Sequence, residues 1–134
     1  MNWTWFHKWG SPKWFYQVSG RWLTGFAWAA ALLLIVGLVW GLVFAPADYQ
    51  QGNSFRIIYI HVPGAILAQS CYLMLAVAGA VGLIWKMTLA DVALQQAAPI
   101  GAWMTVIALV TGAIWGKPTW GTYWVWDARL TSML

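Results

Sequence analysis

One histidine and one aromatic cluster are the residues of this sequence whose types and spacing could do chemistry. His61 carries an imidazole, whose neutral nitrogen is a common ligand of heme iron. The aromatic cluster consists of Trp115, Trp120, Tyr123, Trp124 and Trp126. Trp120 and Trp124 are four positions apart, so on a helical turn they would share one face. Gly116 and Gly121 lie within the cluster and would let a flat ligand approach the chain closely.

Heme is a ligand that would use both features. It is a flat apolar macrocycle with an iron centre and two carboxylates at one edge, so His61 could bind the iron and the aromatic cluster could form the walls. Arg56, Lys117 and Arg129 are candidate partners for the carboxylates, and arginine suits bidentate binding better than lysine. Asp127 is expected to cap a helix N-terminus or to form a salt bridge with a basic neighbour.

Both features also have a simpler interpretation. A lone histidine near a helix end at a membrane surface is more often a hydrogen-bonded interfacial residue than a metal ligand. Tryptophan concentrates at membrane interfaces because its ring is apolar and its N–H seeks water, so a ligand platform and an interfacial belt explain the cluster equally well. The belt is favoured for seven tryptophans elsewhere, namely Trp3, Trp5, Trp9, Trp14, Trp22, Trp40 and Trp85.

The composition indicates an integral membrane protein. Of 134 residues, 62% are hydrophobic and 7% are charged, whereas soluble domains have about 25% charged residues. This excludes a soluble globular enzyme, a disordered segment and a nucleic-acid-binding module. The net charge of +4 reflects a scarcity of acidic residues, and the single cysteine excludes an internal disulfide. No catalytic triad or phosphate-binding loop is present, so we expect no enzyme.

The gaps between charged residues predict an all-α, polytopic transmembrane helix bundle with three complete spans and the start of a fourth. A helix needs about 20 apolar residues to cross the hydrocarbon. The predicted segments are a cytoplasmic amphipathic tail (1–21), transmembrane helices (22–44, 59–85 and 94–115), a periplasmic loop (45–58), a cytoplasmic loop (86–93), a periplasmic tryptophan-rich loop (116–129) and the start of the fourth helix (130–134). Because the sequence stops in the first turns of an apolar segment, we expect a fragment of a longer protein.

The positions of lysine and arginine predict the orientation. Lys8, Lys13 and Arg21 precede the first span, whereas the loop after it contains only Arg56. The positive-inside rule therefore places the N-terminus in the cytoplasm. Loops one and three of a multi-span chain must lie on the same side of the membrane, so His61 is expected to share a face with the aromatic cluster.

Two segments resemble a known family. The segment at 115–132, WGKPTWGTYWVWDARLTS, looks like the tryptophan-rich WWD signature of heme-handling membrane proteins. The segment at 44–63, FAPADYQQGNSFRIIYIHVP, is similar to the heme exporter protein C branch of that family, from the bacterial cytochrome c maturation system. The resemblance covers both outer loops and the spans between them, although Tyr123 stands where relatives usually have another tryptophan.

The resemblance implies a six-span protein of the bacterial inner membrane that holds heme b on its periplasmic face. It implies that His61 is an axial ligand of the iron and that the aromatic cluster, with Asp127, forms the heme-binding segment. It also implies transfer of heme to a periplasmic heme chaperone, with a small single-span membrane partner and ATP-binding cassette transporter subunits. Relatives have a second external histidine in a later loop, and His7 would lie on the opposite side. We therefore expect weak or no stable heme binding by these residues alone.

Other functions remain open from the residues alone. A permease for another solute would need polar groups inside the spans, where Gln69, Ser70, Cys71 and scattered threonines are the only ones. A respiratory cytochrome b-like anchor would need paired histidines within the spans, which this sequence lacks. A structural assembly subunit with only interfacial tryptophans would give no heme signal in the complete protein.

Overall fold

The part of the chain that this computed structural model describes, Thr4, Lys8 and residues 10–134, is mainly helical, with non-helical segments at 45–52 and 121–127. Its α-helices are α1 (Pro12–Val39), α2 (Ile58–Trp85), α3 (Thr88–Trp120) and α4 (Ala128–Thr131). A π-helical turn, Trp40–Phe44, continues α1, and a 3-10 turn, Asn53–Ile57, precedes α2. The predicted all-α fold is confirmed. His7 and three tryptophans of the predicted tail, Trp3, Trp5 and Trp9, lie outside the described residues.

Three helical segments are long and apolar enough to cross a membrane. They are Pro12–Phe44, Asn53–Trp85 and Thr88–Trp120, each of 33 residues, and an 18-residue stretch in each has a mean hydropathy of 2.4, 1.8 and 1.8 respectively. A helix of this length covers roughly 50 Å, whereas the hydrocarbon is about 30 Å thick, so each segment extends beyond the hydrocarbon. The protein is a multi-pass membrane protein, as its composition predicts.

α1 begins before the predicted start of the first span. Ser11 is its N-cap and Pro12 occupies the first helical turn, where the missing N–H of proline costs no hydrogen bond. The helix therefore includes residues 12–21, which the sequence assigns to the amphipathic tail. Because the ends of a helix and of the hydrocarbon need not coincide, 22–44 stays the predicted membrane-embedded part.

The N-terminal end of α3 also departs from the predicted boundaries. Lys86 adopts a left-handed conformation, with a φ of 50°, and ends α2 at the predicted position. Met87 is extended, and α3 begins directly at Thr88. Most of the predicted loop 86–93 therefore belongs to the first two turns of α3, and the connection between α2 and α3 is a tight turn.

The C-terminal end of α3 corrects the predicted tryptophan-rich loop, 116–129. The helix continues to Trp120, so the first five residues of that loop are helical. The hydroxyl of Thr119 donates to the Trp115 carbonyl at 2.8 Å, which supports the last turn. Gly121, with a φ of 80°, ends the helix as glycine does at many C-termini. Trp120 and Trp124 therefore do not share a helical turn.

α2 and α3 form an antiparallel pair that packs through small residues. The buried residues of the two helices are Gly64, Ala68, Ala90, Ala97, Gly101, Ala108 and Gly116. A Cβ added at Gly64 would lie 3.3 Å from Cγ2 of Ile107, and one added at Gly101 would lie 3.0 Å from Cβ of Cys71. These short contacts show that small side chains let the two backbones approach closely, as in many membrane helix pairs.

α1 contacts the helix pair mainly near its ends. Gly41, in the π-helical turn, faces Tyr59 so closely that an added Cβ would lie 2.6 Å from Cγ of the ring. Gly10, just before α1, lies beside Met87 in the turn between α2 and α3. The first loop and the end of α3 therefore lie together at the opposite end of the structure from Gly10. We call the end of the structure that contains the first loop (45–58) and the C-terminal end of α3 the first-loop end.

The contact between Gly41 and Tyr59 generates a test of the fold. We expect Gly41→Ala to lower the free energy of unfolding by about 1–3 kcal/mol, because the new methyl group forces the ring and the π-helical turn apart. Thermal unfolding of the complete protein in detergent measures this. Gly37→Ala is the matched control, because nothing lies within 4 Å of a Cβ added there and alanine favours the helix. Equal stability of the two variants would contradict the packing.

Candidate functional site

A cavity of about 330 Å³ at the first-loop end brings half of the predicted site residues together. Its volume lies within the range of about 300–1,000 Å³ that is usual for small-molecule pockets. The predicted residues that line it are His61, Trp115, Trp120, Tyr123 and Trp124. The structure thus places the histidine and the tryptophan-rich segment at one end of the helix pair, as the loop argument predicts.

His61 is held against α3 by its ring. Its Nδ1 atom lies 3.0 Å from the Ala108 carbonyl oxygen and 3.1 Å from Oγ1 of Thr111. A Cβ added at Gly112 would lie 2.9 Å from Cε1 of the ring, so the imidazole rests on the helix backbone. The Trp115 ring meets it edge-on, with centroids 5.7 Å apart. Nε2 has no hydrogen-bond partner among the described residues.

Trp115 links the first loop to α3. Its Nε1 donates to Oε1 of Gln51 at 2.7 Å, and Gln51 also lines the cavity. The backbone N–H of Gln51 donates in turn to Oδ1 of Asp48 at 2.8 Å, which rigidifies the turn of the loop. Sequence reasoning missed Gln51. Its partner is 64 residues away, and one glutamine in a polar loop gives no local signal of such a contact.

The other aromatic residues occupy unequal positions. Trp120 is 65% exposed, and its ring lies over Gly116, where an added Cβ would lie 3.4 Å from Cε3. Trp124 is half-buried, and its Nε1 is buried without a hydrogen-bond partner in the described part of the chain. Trp126 does not line the cavity; it is 76% exposed and meets the Trp124 ring at 5.6 Å. Four members of the cluster therefore form the walls, and Trp126 supports one of them.

Arg56, a predicted carboxylate partner, is bound to backbone carbonyls instead. Its Nε and Nη2 donate to the Ala45 carbonyl at 3.1 and 2.8 Å, and its Nη1 donates to the Leu42 carbonyl at 3.1 Å. These carbonyls lie at the end of the first helix, where they lack partners within the helix. Arg56 therefore caps the first helix and does not line the cavity.

The remaining two predicted cations also have protein partners and lie outside the cavity lining. Lys117 donates from Nζ to the Gly121 carbonyl at 3.0 Å, and its ammonium lies 5.2 Å from the centroid of the Tyr123 ring. Arg129 forms an exposed salt bridge with Asp127 at 2.8 Å. The structure therefore places none of the three predicted carboxylate partners in the lining of the cavity, although the Lys117 ammonium lies over the Tyr123 ring.

Asp127 has both of the roles considered for it from the sequence. Its Oδ1 accepts the backbone N–H of Leu130 at 2.8 Å, which caps α4, and its Oδ2 accepts from Arg129. Hydrogen bonding to the Leu130 amide, and secondarily to Arg129, lowers the pKa of the Asp127 carboxyl group. Asp127 does not line the cavity, but Leu130, in the helix that it caps, does.

The lowered pKa of Asp127 predicts how the cap depends on pH. The ionised carboxylate accepts the Leu130 N–H more strongly than the neutral acid does, so this extra stabilisation is complete above the ordinary pKa of about 3.9 and is lost as the pH falls through the lower folded-state value. In NMR spectra we expect the Leu130 amide shift to titrate with a midpoint below about 3.9. Asp127→Asn keeps an oxygen acceptor and should abolish the titration. A midpoint at the ordinary value, or an equal titration in the variant, would contradict the assignment.

Comparisons with known proteins show the family to which the chain is similar. The family described as heme exporter protein C matches residues 5–134 of the chain. Heme exporter protein C of Haemophilus influenzae and that of Escherichia coli K12 are each 54% identical over 132 residues, which are 98% of this chain and 54% of the relative. The Rhodobacter capsulatus protein of that name is 46% identical over 127 residues, which are 95% of this chain and 52% of the relative.

The length and the name of these relatives both bear on the comparison. The chain spans about half the length of the curated relatives that it matches. Their shared name describes an exporter, which is a transport protein rather than an enzyme. With a family match over nearly all its residues, on the segments that build the cavity, the chain belongs to the heme exporter protein C family.

Proposed function

We propose that the protein containing this chain binds heme in the cavity at the first-loop end and exports or presents it for the maturation of c-type cytochromes. The observation that carries this proposal is the position of His61. An imidazole with one nitrogen free of hydrogen bonds to described residues lines a cavity whose other walls are Trp115, Trp120, Tyr123 and Trp124. This pairs an iron ligand with flat apolar surfaces.

The donor set favours heme over a bare metal ion. Among the described residues there is no group of three His, Cys, Asp or Glu side chains that could hold a metal ion. A bare ion would need several protein ligands, whereas the iron of heme arrives with four ring nitrogens and needs only axial ligands. A single free imidazole nitrogen beside aromatic walls fits the second case.

The aromatic walls suit a flat apolar ring system. Indole rings offer large rigid faces. Gly116 lets the Trp120 ring lie close to the helix, since a Cβ added at Gly116 would lie 3.4 Å from Cε3 of the ring. The cations nearby are engaged with protein groups, so binding in the cavity depends on the imidazole and the rings. Because one histidine lines the cavity, we propose that the second axial ligand comes from another part of the complete protein.

The proposed setting follows from the orientation and the family. Lys8, Lys13 and Arg21 favour a cytoplasmic N-terminus, which puts the first-loop end on the periplasmic face of the bacterial inner membrane. There the protein would pass heme b, as cargo, to a periplasmic heme chaperone. A small single-span membrane protein and ATP-binding cassette subunits of the same maturation system are the proposed partners. The name of the relatives, heme exporter protein C, supports this setting.

The alternative functions receive less support from the geometry. A permease pathway would place available polar groups between the spans, but the Ser70 hydroxyl donates to the Ile66 carbonyl and the Thr105 hydroxyl to the Gly101 carbonyl. These side chains are bonded within their own helices. A purely interfacial belt gives no reason for four aromatic residues to surround one histidine in a cavity.

The iron-ligand role of His61 is tested by replacing it. We expect His61→Ala to lower heme occupancy of the complete protein, purified in detergent, by at least about tenfold, because the axial bond is lost. Heme absorbance and transfer to the purified chaperone measure the effect. His7→Ala is the control, because His7 lies on the predicted opposite face. Unchanged occupancy and transfer in His61→Ala would refute the ligand role.

The wall role of the tryptophans is tested separately from that of the histidine. We expect Trp124→Ala and Trp120→Ala each to weaken heme retention roughly fivefold, which corresponds to the loss of about 1 kcal/mol of ring contact. Trp40→Ala is the matched control, since Trp40 is 67% exposed at the same end and lies outside the cavity. An equal effect of all three substitutions on membrane insertion, with retention unchanged, would favour an interfacial belt.

A further inference from the structure

We propose that Thr111 is a positioning residue. With the Ala108 carbonyl, it holds His61 in the tautomer protonated on Nδ1, which leaves the electron pair of Nε2 available. The tautomer is a property of the protein without heme. Its consequence for iron rests on the proposed function. The two parts are therefore measured separately.

The argument begins with the proton of the Thr111 hydroxyl. A hydroxyl has one proton to donate, and the Thr111 hydroxyl donates it to the Ile107 carbonyl at 2.6 Å, with a weaker contact to the Ala108 carbonyl at 3.3 Å. Towards His61, 3.1 Å away, Oγ1 can therefore act only as an acceptor. The Ala108 carbonyl, 3.0 Å from the same ring nitrogen, is an acceptor as well.

Two acceptors around one ring nitrogen decide which nitrogen carries the proton. If Nδ1 were bare, its electron pair would face two oxygen atoms that have no proton to offer, and both contacts would be repulsive. If Nδ1 carries the proton, it donates a bifurcated hydrogen bond to both oxygens. A neutral imidazole has one N–H, so Nε2 is then unprotonated.

The hydrogen bonds of Nδ1 disfavour the turned ring, and the packing fixes the plane of the ring. Turning the imidazole by 180° would put a carbon where Nδ1 lies and would lose both hydrogen bonds. The ring also lies against Gly112, where an added Cβ would be 2.9 Å from Cε1, and the Trp115 ring meets it edge-on at 5.7 Å. His61 is thus fixed in orientation by α3, and Thr111 is one of the groups that select its tautomer.

This arrangement has a direct consequence for an iron ligand. Histidines that bind metals usually donate their other N–H to a carbonyl or carboxylate, which fixes the tautomer and makes the ligating nitrogen more basic. Thr111 and Ala108 provide these acceptors on α3, although His61 lies on α2. Nε2 of His61 is therefore oriented as an iron ligand before heme binds.

The first measurement uses protein without heme. Nitrogen-15 NMR of histidine-labelled complete protein, at about pH 8, distinguishes the two neutral tautomers, and His7→Gln identifies the His61 signals. We expect wild-type His61 to carry its proton on Nδ1. In Thr111→Val we expect the form protonated on Nε2 to become detectable, and Thr111→Ser should restore the wild-type spectrum. A wild-type His61 protonated on Nε2 would overturn the proposal without any variant.

Thr105→Val is the matched control for the loss of a helix hydroxyl. Thr105 lies on the same helix and donates to its i−4 carbonyl, Gly101, at 2.9 Å, as Thr111 does to Ile107, but it forms no hydrogen bond with His61. We expect Thr105→Val to leave the His61 tautomer unchanged. An equal change of the tautomer in both valine variants would show a general effect on α3 and overturn the positioning role.

The second measurement uses the protein loaded with heme. Loss of the acceptor should weaken heme affinity by about tenfold or more and raise the reduction potential of the iron, because the ligating nitrogen becomes less basic. Thr111→Ser should restore both values. A changed tautomer with unchanged affinity and potential would reject the role in heme binding but keep the tautomer assignment. Normal heme binding by His61→Ala would instead reject the proposed function.

Discussion

The close approach of α2 and α3 is the constraint on which the rest of the structure depends. Glycine and alanine occupy the contact from one end to the other, and Ala97 and Ala108 are each only 2% exposed. In hydrocarbon the helices gain little from burying apolar surface, so close packing and hydrogen bonds must hold them together. At the first-loop end the same closeness lets an imidazole on α2 reach a carbonyl and a hydroxyl on α3.

The cavity is assembled from distant parts of the chain that this helix pair brings together. The first loop supplies Gln51, α2 supplies His61, and α3 with the segment after it supplies the aromatic walls. The loop is secured twice, because Gln51 accepts from Trp115 and Arg56 caps the carbonyls at the end of the first helix. The polar side chains of the first loop therefore stabilise the cavity, whereas the candidate iron ligand, His61, lies on α2.

The fold could largely be predicted from the sequence because its signals are local. Gaps between charges located three membrane-crossing helices, and the hydrogen bond from Leu130 confirmed Asp127 as a helix cap. The loop order correctly put His61 beside the tryptophan-rich segment. The extension of α3 to Trp120 was missed, because Gly116 and Pro118 look like loop residues until the back-bonding of Thr119 is known.

What could not be predicted was the partner of the polar side chains other than Asp127. Arg56 and Arg129 have the right charge for a carboxylate ligand, but one caps a helix and the other pairs with Asp127. Gln51 and Thr111 were missed because each acts on a residue 50 or more positions away. Hydropathy and residue spacing indicate the environment of each position along the chain, but they do not indicate which distant residues form hydrogen bonds with one another. The folded arrangement of the first loop and the helices reveals them.

Arg56, Lys117 and Arg129 are bound to protein groups, and this affects how the cavity could bind a ligand. Charged contacts would hold an anionic edge strongly, whereas the described walls offer rings and one imidazole nitrogen. On the proposed function, heme must be released after it is bound. His61 supplies the one axial bond from this part of the protein, so exchange of that bond is a step that frees heme from the aromatic faces. The hydrogen bonds that orient His61 would then affect how tightly heme is held, which makes α3, on this proposal, a determinant of release as well as of capture.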